Sequence, residues 1–182
     1  MRLFKRVSAV IAGSFSLLSA AIADETAFTN GTAIPDFGKI AMIEGATPIP
    51  QGASFKVRFD VTEKSQPEAL NRTFNSAARF INMHYAAGVA LEDIDLAIVI
   101  HSNAVEDVTN EVRFGKTNEK QNANVALIAA LQEKGVSFYV CGQSAAYYDV
   151  AKADLLPGVE LSLSAMTAHA LLDARGYTLN PF

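Results

Sequence analysis

Tryptophan is absent from the 182 residues, cysteine occurs once and histidine three times, and each scarcity removes a class of function. A lone cysteine, Cys141, cannot close an intramolecular disulfide or supply the paired thiolates of a structural zinc site. His84, His101 and His169 are widely separated and form no H-E-x-x-H pair, so neither a metal nor a cofactor is expected. The glycines never fall into G-x-G-x-x-G or G-x-x-x-x-G-K-[ST], which leaves nucleotide binding without support. The lack of G-x-S-x-G removes the usual strand-turn-helix sign of a serine hydrolase. No cluster of Lys and Arg follows Arg6, so the basic footprint that nucleic-acid binding requires is missing as well.

Long apolar runs outside single strands are confined to the start of the chain. Arg2, Lys5 and Arg6 precede the run Val7 to Leu18 and small residues ending in Ala21-Ile22-Ala23, the form of a secretory signal cleaved before Asp24. The run is shorter than the roughly 20 apolar residues that span a bilayer. The expectation is therefore an exported, periplasmic protein with no membrane segment once residues 1–23 are removed. That segment holds three of the 15 basic residues and none of the 19 acidic ones, so its loss takes the net charge from −4 to −7. In an oxidising compartment the one thiol is free, paired between chains, modified or buried.

The remaining length suits one domain. Residues 24–54 are rich in Gly and Pro without periodicity and read as an irregular N-terminal arm, with a short edge strand expected at Lys39 to Ile43. Phe55, Val57, Phe59 and Val61 alternate with Lys56, Arg58 and Asp60, which marks a strand with one apolar face. Pro67 is expected in the first turn of a helix carrying Leu70, Phe74, Ala77, Ile81 and Tyr85 at helical spacing and stopping at Gly88. Leu96 to Ile100 is continuously apolar, as in a strand covered on both faces. The polar stretch Val105 to Glu119 reads as a loop or lid with a short helix inside. A helix through Val125, Ile128 and Leu131 follows, capped at Gly135. Then come a strand from Val136 to Cys141, a helix, a strand at Val159 to Leu163, a helix from Ala165 to Arg175 and a last strand at Tyr177 to Leu179. Such alternation predicts an α/β sandwich with a mainly parallel five-stranded sheet, whose site lies at the C-terminal edge of the strands.

Cys141 ends its strand and meets Gly142, which breaks it, with Gln143 following and Ser144 as the expected N-cap of the next helix. A thiol in that turn faces unpaired backbone N–H groups that favour its reactive thiolate. The competing reading is a small buried hydrophobe, since free cysteine is among the most buried residue types. His101 directly follows a buried strand and would assist the thiolate or orient a ligand, with a backbone-bonded strand-end histidine as the alternative. His84 and His169 fall on helices and read as surface or locally bonded residues. Asn118, Asn122 and Asn124 suit caps and turns; Asn122 is also kept, with Asn103, Gly142, Gln143 and Ser144, as a binding candidate.

At these residues the chain resembles the DsrE/DsrF-like family of sulfur-relay proteins. The likeness is carried by Phe55 to Val61, Leu70-Asn71, Ala77-Ala78-Arg79, Leu96 to His101, Asn122-Ala123-Asn124, Val140 to Ser144, Leu155 to Val159 and Leu163 to Met166. The resemblance implies a flavodoxin-like three-layer sandwich, assembly of identical subunits into a homotrimer or homohexamer, and a cysteine, here Cys141, that carries sulfane sulfur as a persulfide. Relay members commonly place Arg early in the helix after that cysteine; this chain has Ala145-Ala-Tyr-Tyr-Asp149 there. The expected function is sulfane-sulfur acceptance and transfer between donor and acceptor proteins or small thiols. The alternative is a non-catalytic oligomeric module binding a ligand at the same strand-end pocket, and a third reading is metal or haem-related binding through His101 and Cys141.

Overall fold

Five parallel strands form the centre of the computed structural model, which describes residues 25–66 and 68–180. The expected signal segment and Pro67 lie outside those residues. The strands are β1 (Phe55–Val61), β2 (Ile94–Ile100), β3 (Ser137–Cys141), β4 (Val159–Ser162) and β5 (Thr178–Leu179), in the spatial order β4-β3-β2-β1-β5. The helices are α1 (Arg72–Ala86), α2 (Glu111–Asn118), α3 (Val125–Glu133), α4 (Gly142–Tyr147) and α5 (Ala165–Ala174). The result is a flavodoxin-like layered sandwich.

Connection direction decides which face each helix covers. From β1 to β4 every crossover steps the same way across the sheet, and right-handed crossovers put their helices on one face. The step from β4 back to β5 runs the other way, so α5 covers the opposite face. The core divides accordingly. Phe59, Ile98, Ile100, Phe138 and Val140 join Phe74, Ala77 and Ile81 of α1 and Leu127, Ile128 and Leu131 of α3 on the first face. Ala97, Val99 and Cys141 pack with Ala165, Ala168 and Leu172 of α5 on the second. Phe138 meets Phe74 edge to face at 5.6 Å; burying one such side chain stabilises by about 1.5–3 kcal/mol.

Several local expectations are corrected. The short strand at Lys39 to Ile43 is reduced to a single antiparallel bridge between Thr29 and Ile40, outside the sheet. The arm is held instead by Asn82 of α1, which donates to the carbonyls of Ile34, Phe37 and Gly38 and accepts from Ile34 N–H at 2.8 Å. Helix α1 begins at Arg72 because Asn71 caps it, accepting from Thr73 N–H at 3.0 Å and Phe74 N–H at 3.4 Å. The stretch after β2 is not a lid. A 3₁₀ turn at Ser102–Val108 buries Ala104 through Thr109, and α2 follows it. Part of its polarity is internal: Asp107, wholly buried, accepts from Ser65 N–H, the Ser65 hydroxyl and Asn71 Nδ2 at 2.8, 2.9 and 2.8 Å.

Candidate functional site

In an open α/β sheet a ligand crevice forms where neighbouring strands send their chains to opposite faces. Here those neighbours are β3, which leads into α4 on one face, and β4, which leads into α5 on the other. Cys141 is the last residue of β3 and pairs in register with Ser162 of β4. The thiol thus stands at the fork of the fold, between the N-termini of two helices.

The local chain explains how the fork closes. Helix α4 starts at Gly142, one residue after the cysteine, so Cys141 itself occupies the N-cap position and Ser144 lies inside the helix rather than capping it. Gly142 is required by close approach: a Cβ there would sit 2.6 Å from the Ser162 carbonyl oxygen and 3.2 Å from that of Leu163. Gln143 is exposed and donates from Nε2 to the Leu163 carbonyl at 3.2 Å, a second tie between α4 and the turn after β4.

Around the sulfur the donors come from both helices. Ser144 turns its hydroxyl and its backbone N–H toward Cys141, and Ala165 and Gln143 turn their backbone N–H groups the same way. The thiol completes no capping bond with them, as expected of a weak acceptor; the thiolate is the form that would draw them in. Burial acts to raise the pKa of Cys141, but the Ser144 hydroxyl and the three N–H groups outweigh it and hold the thiol below its ordinary range. Ser102 supports this arrangement. Its N–H donates to Ser144 Oγ at 3.0 Å, so the hydroxyl oxygen is engaged as an acceptor and its proton is free for the sulfur. Ser102 does so from a left-handed backbone with φ of +54°, a conformation that costs a non-glycine residue about 1–3 kcal/mol and concentrates at functional sites. Cys141 is nevertheless only 6% exposed, while Leu163 and Met166 beside it are 72% and 79% exposed.

His101 leaves β2 one residue beyond the Ile100–Val140 pair, next to Cys141 in register. Its Nε2 lies 3.0 Å from Asp60 Oδ1, and His169 Nε2 of α5 lies 2.9 Å from the same oxygen. Asp60 and His169 are the residues that reading the sequence missed. The available signal was Lys56, Arg58 and Asp60 at alternate positions of an interior strand, since three charged residues on one face need partners from whatever covers it.

Two candidates do not join this group. Asn103 Oδ1 accepts from Lys64 N–H at 3.0 Å and ties the loop after β1 to the turn after β2. Asn122 is buried and its amide is spent on the carbonyls of Asp107 and Thr109, both at 2.9 Å, and on Asn124 N–H at 3.0 Å. A cavity of about 330 Å³ at the end of β1 is lined by Asp60, Thr62, Lys64, Ser65, Asn71 and Arg72 among others, but not by Cys141. Among the described residues no group of three or more His, Cys, Asp and Glu is arranged to hold a metal ion, and no helix is long and apolar enough to cross a membrane.

The comparisons with known proteins agree with this fold. The model of the DsrE/DsrF-like family matches residues 56–181, which includes every strand of the sheet except the first residue of β1. Among solved structures, the protein of unknown function MTH1491 from Methanobacterium thermoautotrophicum is similar, with a TM-score of 0.54 at 17% identity. The likeness covers 70% of this chain and 98% of that one, a correspondence of fold. No curated protein matches the sequence.

Proposed function

Because the chain belongs to the DsrE/DsrF-like family, we propose that it is a sulfur carrier in which Cys141 accepts sulfane sulfur as a persulfide and passes it to an acceptor thiol. The observation that carries this reading is the set of donors from two helices around one sulfur at the fork of the sheet. In the first step the Cys141 thiolate attacks the outer sulfur of a donor R–S–SH. A new S–S bond forms at Cys141, the donor's S–S bond breaks, and R–S⁻ leaves. In the second step an acceptor thiolate attacks the outer sulfur of the Cys141 persulfide, and the Cys141 thiolate is the leaving group. The same N–H groups and the Ser144 hydroxyl favour that thiolate as nucleophile in one step and as leaving group in the other. No oxidant or metal enters the balance.

Donor and acceptor are partner proteins or small molecules, the donor as a persulfide and the acceptor as a thiol, and the setting is an exported, periplasmic one, on the form of residues 1–23. Transfer of labelled sulfane sulfur from a persulfide donor to cysteine tests the proposal. The wild-type protein should accelerate it, and Cys141→Ser should return the rate to that of the buffer. A second reading is favoured by the packing of Cys141 against Ala97, Val99, Ala165 and Leu172. In it the thiol is structural and the module binds a ligand at the same edge, which an unchanged transfer rate in Cys141→Ser would support.

A further inference from the structure

Asp60 Oδ1 is shared by two imidazoles from different elements, His101 at the end of β2 and His169 on α5. A carboxylate oxygen can only accept from a ring nitrogen that carries hydrogen, so ionised Asp60 places a proton on Nε2 of both rings. The side chains are 37% exposed for Asp60, 28% for His101 and 24% for His169. His101 Nδ1 has no hydrogen-bond partner among the described residues and is not a buried orphan. It is therefore an open lone pair on the residue that neighbours Cys141 in strand register.

The second imidazole belongs to a crossbar. Arg58 and Asp60 lie on the same face of β1, and His169 and Asp173 lie one turn apart on α5. Arg58 Nη1 and Nη2 each reach Asp173 Oδ1 at 3.1 Å, Nη1 also donates to the Tyr177 carbonyl, and Asp60 takes His169. Helix α5 is thus pinned at two successive turns. The pin nearer its N-terminus is His169, one turn from Ala165, whose N–H faces the sulfur. Of the other charged or titratable groups on this face, Arg58 reaches Asp173, Lys56 reaches Asp95 at 3.8 Å and Asp95 accepts from the Tyr177 hydroxyl at 2.6 Å, while Tyr139 of β3 packs against α5 and Glu160 of β4 pairs with Tyr139 in register.

We propose that Asp60 is the positioning residue of the site, holding the α5 N–H of Ala165 on Cys141 through His169 and fixing His101 with Nδ1 free to take and return a proton. The proton role rests on the sulfur-transfer reading. His101 Nδ1 removes the proton of the acceptor thiol, RSH, as that thiol becomes the attacking thiolate. It then returns the proton to the donor's released thiolate in the next cycle, so the ring is unchanged overall. The positioning role stands without that reading, because it concerns only the state of the Cys141 thiol.

The test is the pH profile of Cys141 alkylation by iodoacetamide in the full mature chain, for wild type, Asp60→Asn, His169→Ala and His169→Gln. Gln can place an amide N–H where the imidazole Nε2–H lies. Both Asp60→Asn and His169→Ala should move the midpoint to higher pH by about one unit, or about tenfold less thiolate below both midpoints. His169→Gln should stay near wild type. Imidazole ¹⁵N shifts should show His101 as the Nε2–H tautomer in wild type and as a mixture in Asp60→Asn. If Asp60 acted only as a nearby negative charge, its neutralisation would move the midpoint down; that result, or a wild-type profile in His169→Ala, overturns the proposal. The readouts separate the two ideas. A wild-type protein that never takes up sulfur, yet shows these shifts, refutes sulfur carriage and the proton role while leaving the positioning role standing. Sulfur uptake without the shifts refutes the positioning role alone.

Discussion

Ser102 N–H donates to Ser144 Oγ at 3.0 Å and thereby frees the Ser144 proton for Cys141. The two serines come from the 3₁₀ turn after β2 and the first turn of α4, 42 residues apart. Ser144→Ala should raise the Cys141 pKa by about one unit, since a hydrogen bond to a charged group contributes about 1.5–3 kcal/mol and one unit corresponds to about 1.4. Alkylation rate against pH measures it. The thiolate's contribution to stability is full above the unfolded-state value of about 8.5 and is lost as pH falls through the lowered folded value. The stability difference between wild type and Cys141→Ser should therefore grow as pH rises toward 8.5, and Ser144→Ala should shrink that window.

Gly142→Ala should destabilise the protein by about 1–3 kcal/mol, the usual cost of overpacking. Its Cβ would meet the Ser162 and Leu163 carbonyl oxygens at 2.6 and 3.2 Å, and neither is the end of a flexible side chain. Chemical denaturation gives the loss. Because the strain opens the fork between α4 and β4, alkylation of Cys141 should also become faster than in wild type under native conditions.

The strands and the place of Cys141 were legible in the sequence because they are written in local pattern. Phe55 to Val61 alternates, Leu96 to Ile100 does not, and a cysteine followed by glycine marks a strand end. The fork was not legible, because it depends on β5 returning beside β1, which no local pattern specifies. His169 looked like a surface histidine for the same reason: its partner Asp60 is 109 residues away and meets it only because α5 crosses the second face. Asn103 and Asn122 were kept as binding candidates, but which groups their amides satisfy is a matter of tertiary contact. The polarity of the segment after β2 suggested exposure, whereas Asp107 and its partners are polar residues bonded to one another in the interior.

Asn71→Ala should cost about 2–4 kcal/mol, combining loss of the α1 cap with an acceptor of buried Asp107 left short. Urea denaturation measures this. Burial raises the Asp107 pKa, partly offset by the bonds from Asn71 and Ser65. An acid raised in the folded state loses stability as pH climbs from its unfolded value of 3.8 through the folded one. Removing Asn71 should extend that loss to higher pH.

The protein should assemble as a homotrimer or homohexamer. Leu161, Leu163, Met166 and Leu171 stand 42%, 72%, 79% and 53% exposed along edge strand β4 and α5, an apolar surface of the kind that marks an interaction site. Light scattering at micromolar concentration should return a multiple of the subunit mass. A monomer would contradict the assembly.

Intact mass after incubation with a sulfane-sulfur donor tests sulfur carriage most directly. The wild-type protein should gain roughly 32 Da, the mass of one sulfur atom, and lose it on addition of a thiol through exchange at the persulfide. Cys141→Ser should gain nothing while keeping its fold. A wild-type protein whose mass stays constant, and whose thiol alkylates only after denaturation, would contradict sulfur carriage and leave Cys141 a packed residue of the α5 face.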